Sequence, residues 1–239
     1  MTTVLWRYSF WATVSVVCTA AALWVDLGQW ARGGPVGPGS EWFRFMRTVA
    51  AVVPVAGLWR GRAGVDARWL TTAMVLVIVA DTFLILRRDL LSGIAWFAIV
   101  QAVFVGRHGR GVPLRRWVAP DARIGVGAAC VVVAIVNAGL WPSLADRGLA
   151  LPVLGYSVLV MTTVVVAWGA RSGGPLLPEA ARDAYLGMVL FALCDVTVGV
   201  GAAFGHTSGG ALARSLTGLL YTPALLLLVW SGRSGDTVH

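Results

Sequence analysis

The sequence predicts an all-α fold, a polytopic membrane protein of about eight transmembrane helices with a possible parallel four-helix repeat. Three observations carry that expectation. Of 239 residues, 58% are hydrophobic and only 13% charged, with a mean hydropathy of +0.78, too apolar for a soluble domain. The apolar residues gather into runs close to the roughly 20 residues a spanning helix needs, parted by short segments rich in Gly, Pro and Arg. Two of the runs also share a pattern. Ala67-Arg68, Met74-Val75-Leu76 and Asp81 recur 114 positions later as Ala181-Arg182, Met188-Val189-Leu190 and Asp195, six identities in fifteen aligned residues.

Taken in order, the spans are expected at 4–24, 43–59, 69–86, 90–106, 124–141, 149–168, 184–204 and 211–230. The second is the weakest, because Arg44 and Arg47 occupy its first turn and Pro54 interrupts it. Connections carry turn residues: Gly33-Gly34-Pro35 with Gly37-Pro38-Gly39, Gly109 to Pro113, and Gly173-Gly174-Pro175 through Pro178. No soluble domain interrupts the series. Residues 1–239 therefore read as a single transmembrane domain, with possible halves 1–110 and 120–239. Trp59, Trp69, Trp141, Trp168 and Trp230 mark expected helix ends, the aromatic belt of a membrane interface.

The formal charge of +8 comes from arginines clustered between apolar runs, a topology signal and not a nucleic-acid footprint. With eight spans both termini share a side that holds Arg7, Arg60, Arg62, Arg68, Arg107, Arg110, Arg115, Arg116, Arg123, Arg171, Arg182 and Arg233, most of the 19 basic residues. Both termini are thus expected in the cytoplasm, in what reads as a bacterial cytoplasmic membrane. Lysine is absent, so a retinal Schiff base is excluded. Cys18, Cys130 and Cys194 fall in separate spans, and His108, His206 and His239 in loops or at the terminus, which argues against disulfides and metal clusters. Arg7 and the apolar continuation through Trp24 argue against a cleaved signal. No phosphate loop or dinucleotide fingerprint is present, so no cofactor is expected.

Function concentrates on the two acids. An acid at the centre of a membrane helix costs roughly 2.5–3.5 kcal/mol, so such residues are rare and usually functional. Asp81 lies 12 residues beyond Trp69 and Asp195 lies 11 beyond Ala184. At 1.5 Å per residue both are about 17 Å along parallel helices. A repeat axis along the membrane normal would bring them together at one level. Two carboxyls in a low-dielectric chamber do not both ionise readily, so one is expected to hold its proton and act as an acid. Gln101, Asn137, Tyr156, Tyr221 and Thr222 plausibly reach the same layer. Trp11 and Trp96 lie deep enough to face a cavity, and Asp26 and Glu41 flank its expected mouth. The bland alternative has the aspartates bonding across helices or pairing with an arginine such as Arg87.

Several segments resemble the YhhN family of lysoplasmalogenases, which are eight-helix membrane proteins. The likeness rests on Ala80-Asp81, Leu84, Gly93, Phe97, Gln101 and Phe104 in the first half. It continues in Pro152-Val153, Tyr156, Gly187, Phe191, Cys194-Asp195, Tyr221 and Ser231. Departures accompany it: a family Lys-Pro looks like Arg47-Thr48 here, a membrane histidine is Gln101, and a late Gln falls near Leu225. The resemblance implies cleavage of a vinyl ether by carbon protonation and addition of water.

An acid without an evident base suits another reaction better. The preferred expectation is a class II-like membrane terpene cyclase in which Asp81 and Asp195 protonate an alkene or epoxide of a prenylated compound. Trp96, Phe97, Tyr156 and Trp11 would then stabilise carbocations, with Gln101, Asn137, Tyr221 and Asp26 completing the substrate pocket. The alternative is a lysoplasmalogenase-like hydrolase, and a second alternative is a non-enzymatic binding or transport protein. The expected partners are the lipid bilayer and a hydrophobic prenyl or lipid substrate.

Overall fold

The chain is described by a computed structural model covering residues 2–32, 39–59, 64–116, 119–171, 173–174, 176–205 and 207–234. Eight α-helices follow one another: α1 (Thr2–Ala31), α2 (Glu41–Trp59), α3 (Val65–Asp81), α4 (Leu90–Gly109), α5 (Pro120–Ala145), α6 (Ala150–Ala170), α7 (Pro178–Ala203) and α8 (Ser208–Trp230). No strand occurs among the described residues. The expected turn residues Gly33 to Pro38 and Pro175, with Arg60, Arg62, His206 and His239, lie outside the described residues.

Seven of the eight helices are long and apolar enough to cross a membrane, and the protein is an integral membrane protein. The exception is α2, whose first two turns carry Glu41, Arg44 and Arg47. It still runs the depth of the bundle. Its first turn bonds to Asp26 near the end of α1, and its body also touches the 3-10 turn Ser231–Ser234 that follows α8. Its 19 residues span about 28 Å at 1.5 Å each, close to a hydrocarbon core.

Several helices outrun their apolar stretches because capping decides where they end. α5 and α7 open on Pro120 and Pro178, whose fixed φ and missing N–H suit a first helical turn. Thr207 caps α8, its Oγ1 accepting from the Gly210 amide at 3.1 Å. Asp89 caps α4 through the Ser92 amide at 3.1 Å, and its other oxygen accepts from the Ser92 hydroxyl at 2.5 Å. The Ser92 hydroxyl and amide hold this exposed carboxyl below the usual carboxylate range. Between α3 and α4 the chain makes a π-helical turn, Thr82–Leu86, and then places Arg88 at φ 54, in the left-handed region.

One core joins six helices. Ala51, Val52 and Val55 of α2 meet Leu70, Met74 and Val77 of α3, Phe97 and Phe104 of α4, Ala167 of α6, Met188 and Phe191 of α7, and Leu225 and Leu228 of α8. α1 packs on α2 and α8, and α5 leans on α6 and α7 from the rim, with Ile124 and Ile135 turned outward. Exposed tryptophans at Trp6, Trp24, Trp30, Trp42 and Trp69 lie toward the helix ends, as an interfacial belt requires.

The end of the bundle that carries both termini is closed by buried charge. Arg107 of α4, fully buried, makes a two-pronged pair with Asp66 of α3, both contacts at 2.9 Å, and donates to Ser231 Oγ at 3.0 Å. Nearby, Arg233 donates to Asp183 at 2.5 Å and to Glu179 at 3.2 Å, tying the end of α8 to the start of α7. Removing one member of a buried pair strands the other. Asp66→Ala should therefore cost about 3–5 kcal/mol of stability, read as a lowered unfolding midpoint in detergent, whereas Asp66→Leu with Arg107→Met should recover most of it.

Candidate functional site

Asp81 ends the regular part of α3, buried to 2% exposure, and three neighbours from two other helices face it. The Thr48 hydroxyl of α2 donates to Asp81 Oδ2 at 2.5 Å, and the Tyr221 hydroxyl of α8 donates to the same oxygen at 3.0 Å. The third is Arg47 of α2, whose guanidinium lies 5.1 Å from the centre of the Tyr221 ring and within electrostatic reach of Asp81. Arg47 is only 4% exposed, and Gly218 of α8 makes its seat, since a Cβ there would stand 2.4 Å from Arg47 Nη1. Two hydroxyl donors and a guanidinium thus face one carboxyl group.

Asp195, about two-thirds of the way along α7, has a different setting. It accepts from the Tyr156 hydroxyl of α6 at 2.8 Å, and the buried Gln101 of α4 lies beside Tyr156. Asp81 and Asp195 line one cavity of about 400 Å³ together with Phe97, Cys194 and Tyr221. Four arginines, Arg44, Arg47, Arg88 and Arg214, share that lining, with Glu41 at the mouth. The mouth lies at the end of the bundle opposite the termini, where α2, α4 and α8 begin and α3 and α7 end. Asp26 anchors Arg44 and Glu41 anchors Arg88, both by ion pairs.

Behind Asp195 an apolar groove of about 80 Å³ runs between α4, α5, α6 and α7, past Ile94, Val136, Leu140, Val153 and Met161. It shares Leu84, Leu90, Phe97, Asp195, Val198 and Ala202 with the larger cavity. Asp195 thus stands where a polar chamber meets a hydrocarbon slot. The π-helical turn after Asp81 helps to shape this junction, pressing Leu84 onto Gly93, where a Cβ would come within 3.0 Å of Leu84 Cβ.

Other expected site residues fall elsewhere. Asn137 points back into α5, its amide donating to the Val133 carbonyl at 2.9 Å, because a side chain on a rim helix finds its own backbone first. Trp96 stacks on Phe83 at 6.3 Å and Trp11 meets Phe10 edge-on at 5.3 Å, and neither lines the cavity. Their helix faces turn toward apolar neighbours, so depth in the sequence does not imply access to the chamber. Asp26 is buried behind Arg44 and does not line the mouth itself, and Thr222 bonds to Thr19 at 2.6 Å. Arg87 lies over the Phe83 ring at 4.9 Å, so it is not the partner of Asp81. Phe97, Tyr156 and Tyr221 do reach the acids or their cavity, whereas Gln101 lies beside Tyr156 with its amide making no hydrogen bond among the described residues.

Arg44, Arg47, Thr48 and Arg214 belong to the site although no expectation from the sequence assigns them a part in it. The signal was there, since arginine inside an apolar run is as costly as aspartate and invites the same question. No curated protein and no solved structure matches the chain. The sequence profile of the YhhN family matches residues 42–232, from α2 to the 3-10 turn after α8, which is four-fifths of the chain, and this protein accordingly belongs to the YhhN family.

Proposed function

We propose that the protein is a vinyl ether hydrolase of the lysoplasmalogenase kind, in which Asp195 is the acid and Asp81 the carboxylate. The observation that carries the reading is the unequal setting of two aspartates on one cavity. Asp81 has two hydroxyl donors and Arg47 beside it, whereas Asp195 has one phenol and faces the hydrocarbon slot. Family membership supports the same choice. In the reaction, Asp195 gives its proton to the enol ether carbon remote from oxygen, leaving an oxocarbenium ion. Water adds at the carbon bonded to oxygen while Asp81 takes its proton. The resulting hemiacetal returns a hydroxyl proton to Asp195, and Asp81 protonates the departing alcohol oxygen. One alkene and one water become an aldehyde and an alcohol, and both carboxyls are reset.

Cyclisation of a prenyl chain fits less well. A hydrocarbon substrate would leave Arg214, the cavity arginine with no carboxylate beside it among the described residues, without an anionic ligand. The aromatic groups meant to hold carbocations, Trp11 and Trp96, lie outside it. An amphiphile with a charged head answers to both the polar mouth and the apolar slot.

Purified protein given an alkenyl lysophospholipid should release a long-chain aldehyde. Asp195→Asn and Asp81→Asn should each lower turnover about 10²–10⁴-fold, the usual contribution of general acid–base catalysis, with expression unchanged. Wild-type rates in both variants would eliminate the mechanism, and recovery of intact lipid from the wild type would favour a binding or transport role. In D₂O the aldehyde, trapped by reduction as it forms, should carry one deuterium at the carbon next to the carbonyl. Cleavage on the glycerol side would release an enol that gains the same deuterium, so ¹⁸O-water separates the routes: the label enters the trapped aldehyde when water adds to the vinyl carbon and enters the glycerol product otherwise.

The arginine asymmetry gives the orientation within the same reading: both termini in the cytoplasm and the cavity mouth on the outer face. A green fluorescent protein fused after His239 should fluoresce and alkaline phosphatase at the same point should be inactive. The opposite pair of results would invert the topology.

A further inference from the structure

Among the four arginines of the cavity, Arg214 is the one with no carboxylate beside it among the described residues, although Arg47 Nε is likewise buried without a partner. Arg44 is paired with Asp26, Arg88 with Glu41, and Arg47 sits over Tyr221 beside Asp81. Arg214 is held by a carbonyl, its Nη2 donating to Gly205 O at 2.9 Å. Its Nε is buried and finds no partner among the described residues. The side chain also has a prepared bed. At Gly201 of α7, which itself lines the cavity, a Cβ would stand 2.7 Å from Arg214 Cγ, so any larger residue would displace the arginine stem.

The level of its stem above the acids follows from backbone rise along two helices, with the guanidinium reaching beyond it to Gly205 O. On α8, Arg214 precedes Tyr221, the donor to Asp81, by seven residues, about 10 Å at 1.5 Å per residue. On α7, Gly201 follows Asp195 by six residues, about 9 Å by the same rise. A glycerophospholipid with an alkenyl ether at its end carbon has seven bonds between phosphorus and the carbon to be protonated. Extended at about 1.2 Å per bond, the advance of a stretched chain, that path covers about 8–9 Å. A guanidinium fork also matches phosphate geometry better than an ammonium does.

We infer that Arg214 binds the phosphate of a monoalkenyl glycerophospholipid and so sets its enol ether at the level of Asp81 and Asp195, with the alkenyl chain in the groove behind. The inference rests on the hydrolase reading for its substrate class. Its distinct content is that Arg214 recognises the head and takes no part in proton transfer.

A saturated 1-O-alkyl glycerophosphoethanolamine cannot be protonated at carbon, so its binding to the full chain in detergent reports the head site without turnover. The matched 1-O-alkylglycerol lacks only the phosphate-bearing head. Arg214→Gln should weaken binding of the phospholipid about 10- to 100-fold, the size expected for losing a charge-assisted hydrogen bond, and leave the alkylglycerol unchanged. Arg214→Lys should recover part of the loss. Equal affinity of Arg214→Gln and wild type for the phospholipid would overturn the assignment, and so would parallel losses on both ligands, which would mark a structural role. Inorganic phosphate binding as tightly as the lipid would also overturn it, in favour of a free-anion site. Each outcome is read whether or not aldehyde forms from the alkenyl lipid, so a failed head site and a failed hydrolase remain separable.

Discussion

The arrangement around Asp81 is the constraint from which the rest of the molecule follows. A carboxyl at that depth in a bilayer bundle is costly to bury, and no single helix can offset the cost. α2 contributes Thr48 and Arg47, α8 contributes Tyr221, and α3 contributes the acid, so the three helices are held at one level by one oxygen and its neighbours. This accounts for the composition of α2. Its arginines make it the least apolar helix of the eight because it brings the countercharge that its neighbours lack. Gly218 belongs to the same constraint, giving the Arg47 guanidinium room that any Cβ would occupy.

The second acid shows what a repeated segment gains by not repeating its surroundings. Asp81 and Asp195 close matching stretches of α3 and α7, yet one faces hydroxyls and a guanidinium while the other faces one phenol and a hydrocarbon slot. Identical side chains acquire distinct characters from environment alone, which is how two carboxyls in one chamber can take opposite parts in proton transfer. The π-helical turn after Asp81 adds to the asymmetry. α3 passes into it directly beyond the acid and the chain turns back at Arg88, whereas α7 runs on as regular helix for two further turns.

What could be read from the sequence divides along the same physical line. The helix count came from apolar run length, a property each segment carries by itself, and so did the two acids, because a charge in such a run is conspicuous. Helix ends were misplaced where capping by Pro120, Pro178 or Thr207 extends a helix beyond its apolar stretch. Side-chain direction was harder. Asn137, Trp11 and Trp96 sit within their spans but off the cavity, and a span that is apolar all round gives no periodicity from which to read a face. Arg44 and Arg47 are conspicuous in the sequence only as residues that weaken the second span, and Arg214 carries no expectation, yet all three line the cavity.

The departures from the family pattern take on a consistent sense once their positions are known. Arg47 stands where the resemblance places a lysine, and it keeps a permanent cation beside Asp81 with Thr48 adding a donor. Gln101 stands where a histidine is expected, beside the Tyr156 that donates to Asp195. An amide there can hold the phenol in place but cannot exchange protons at neutral pH. In the proposed reaction none is needed from it, since one carboxyl delivers the proton to carbon, the other receives one from water, and hemiacetal breakdown restores both. The missing histidine therefore agrees with the proposed chemistry, which is closed between two aspartates.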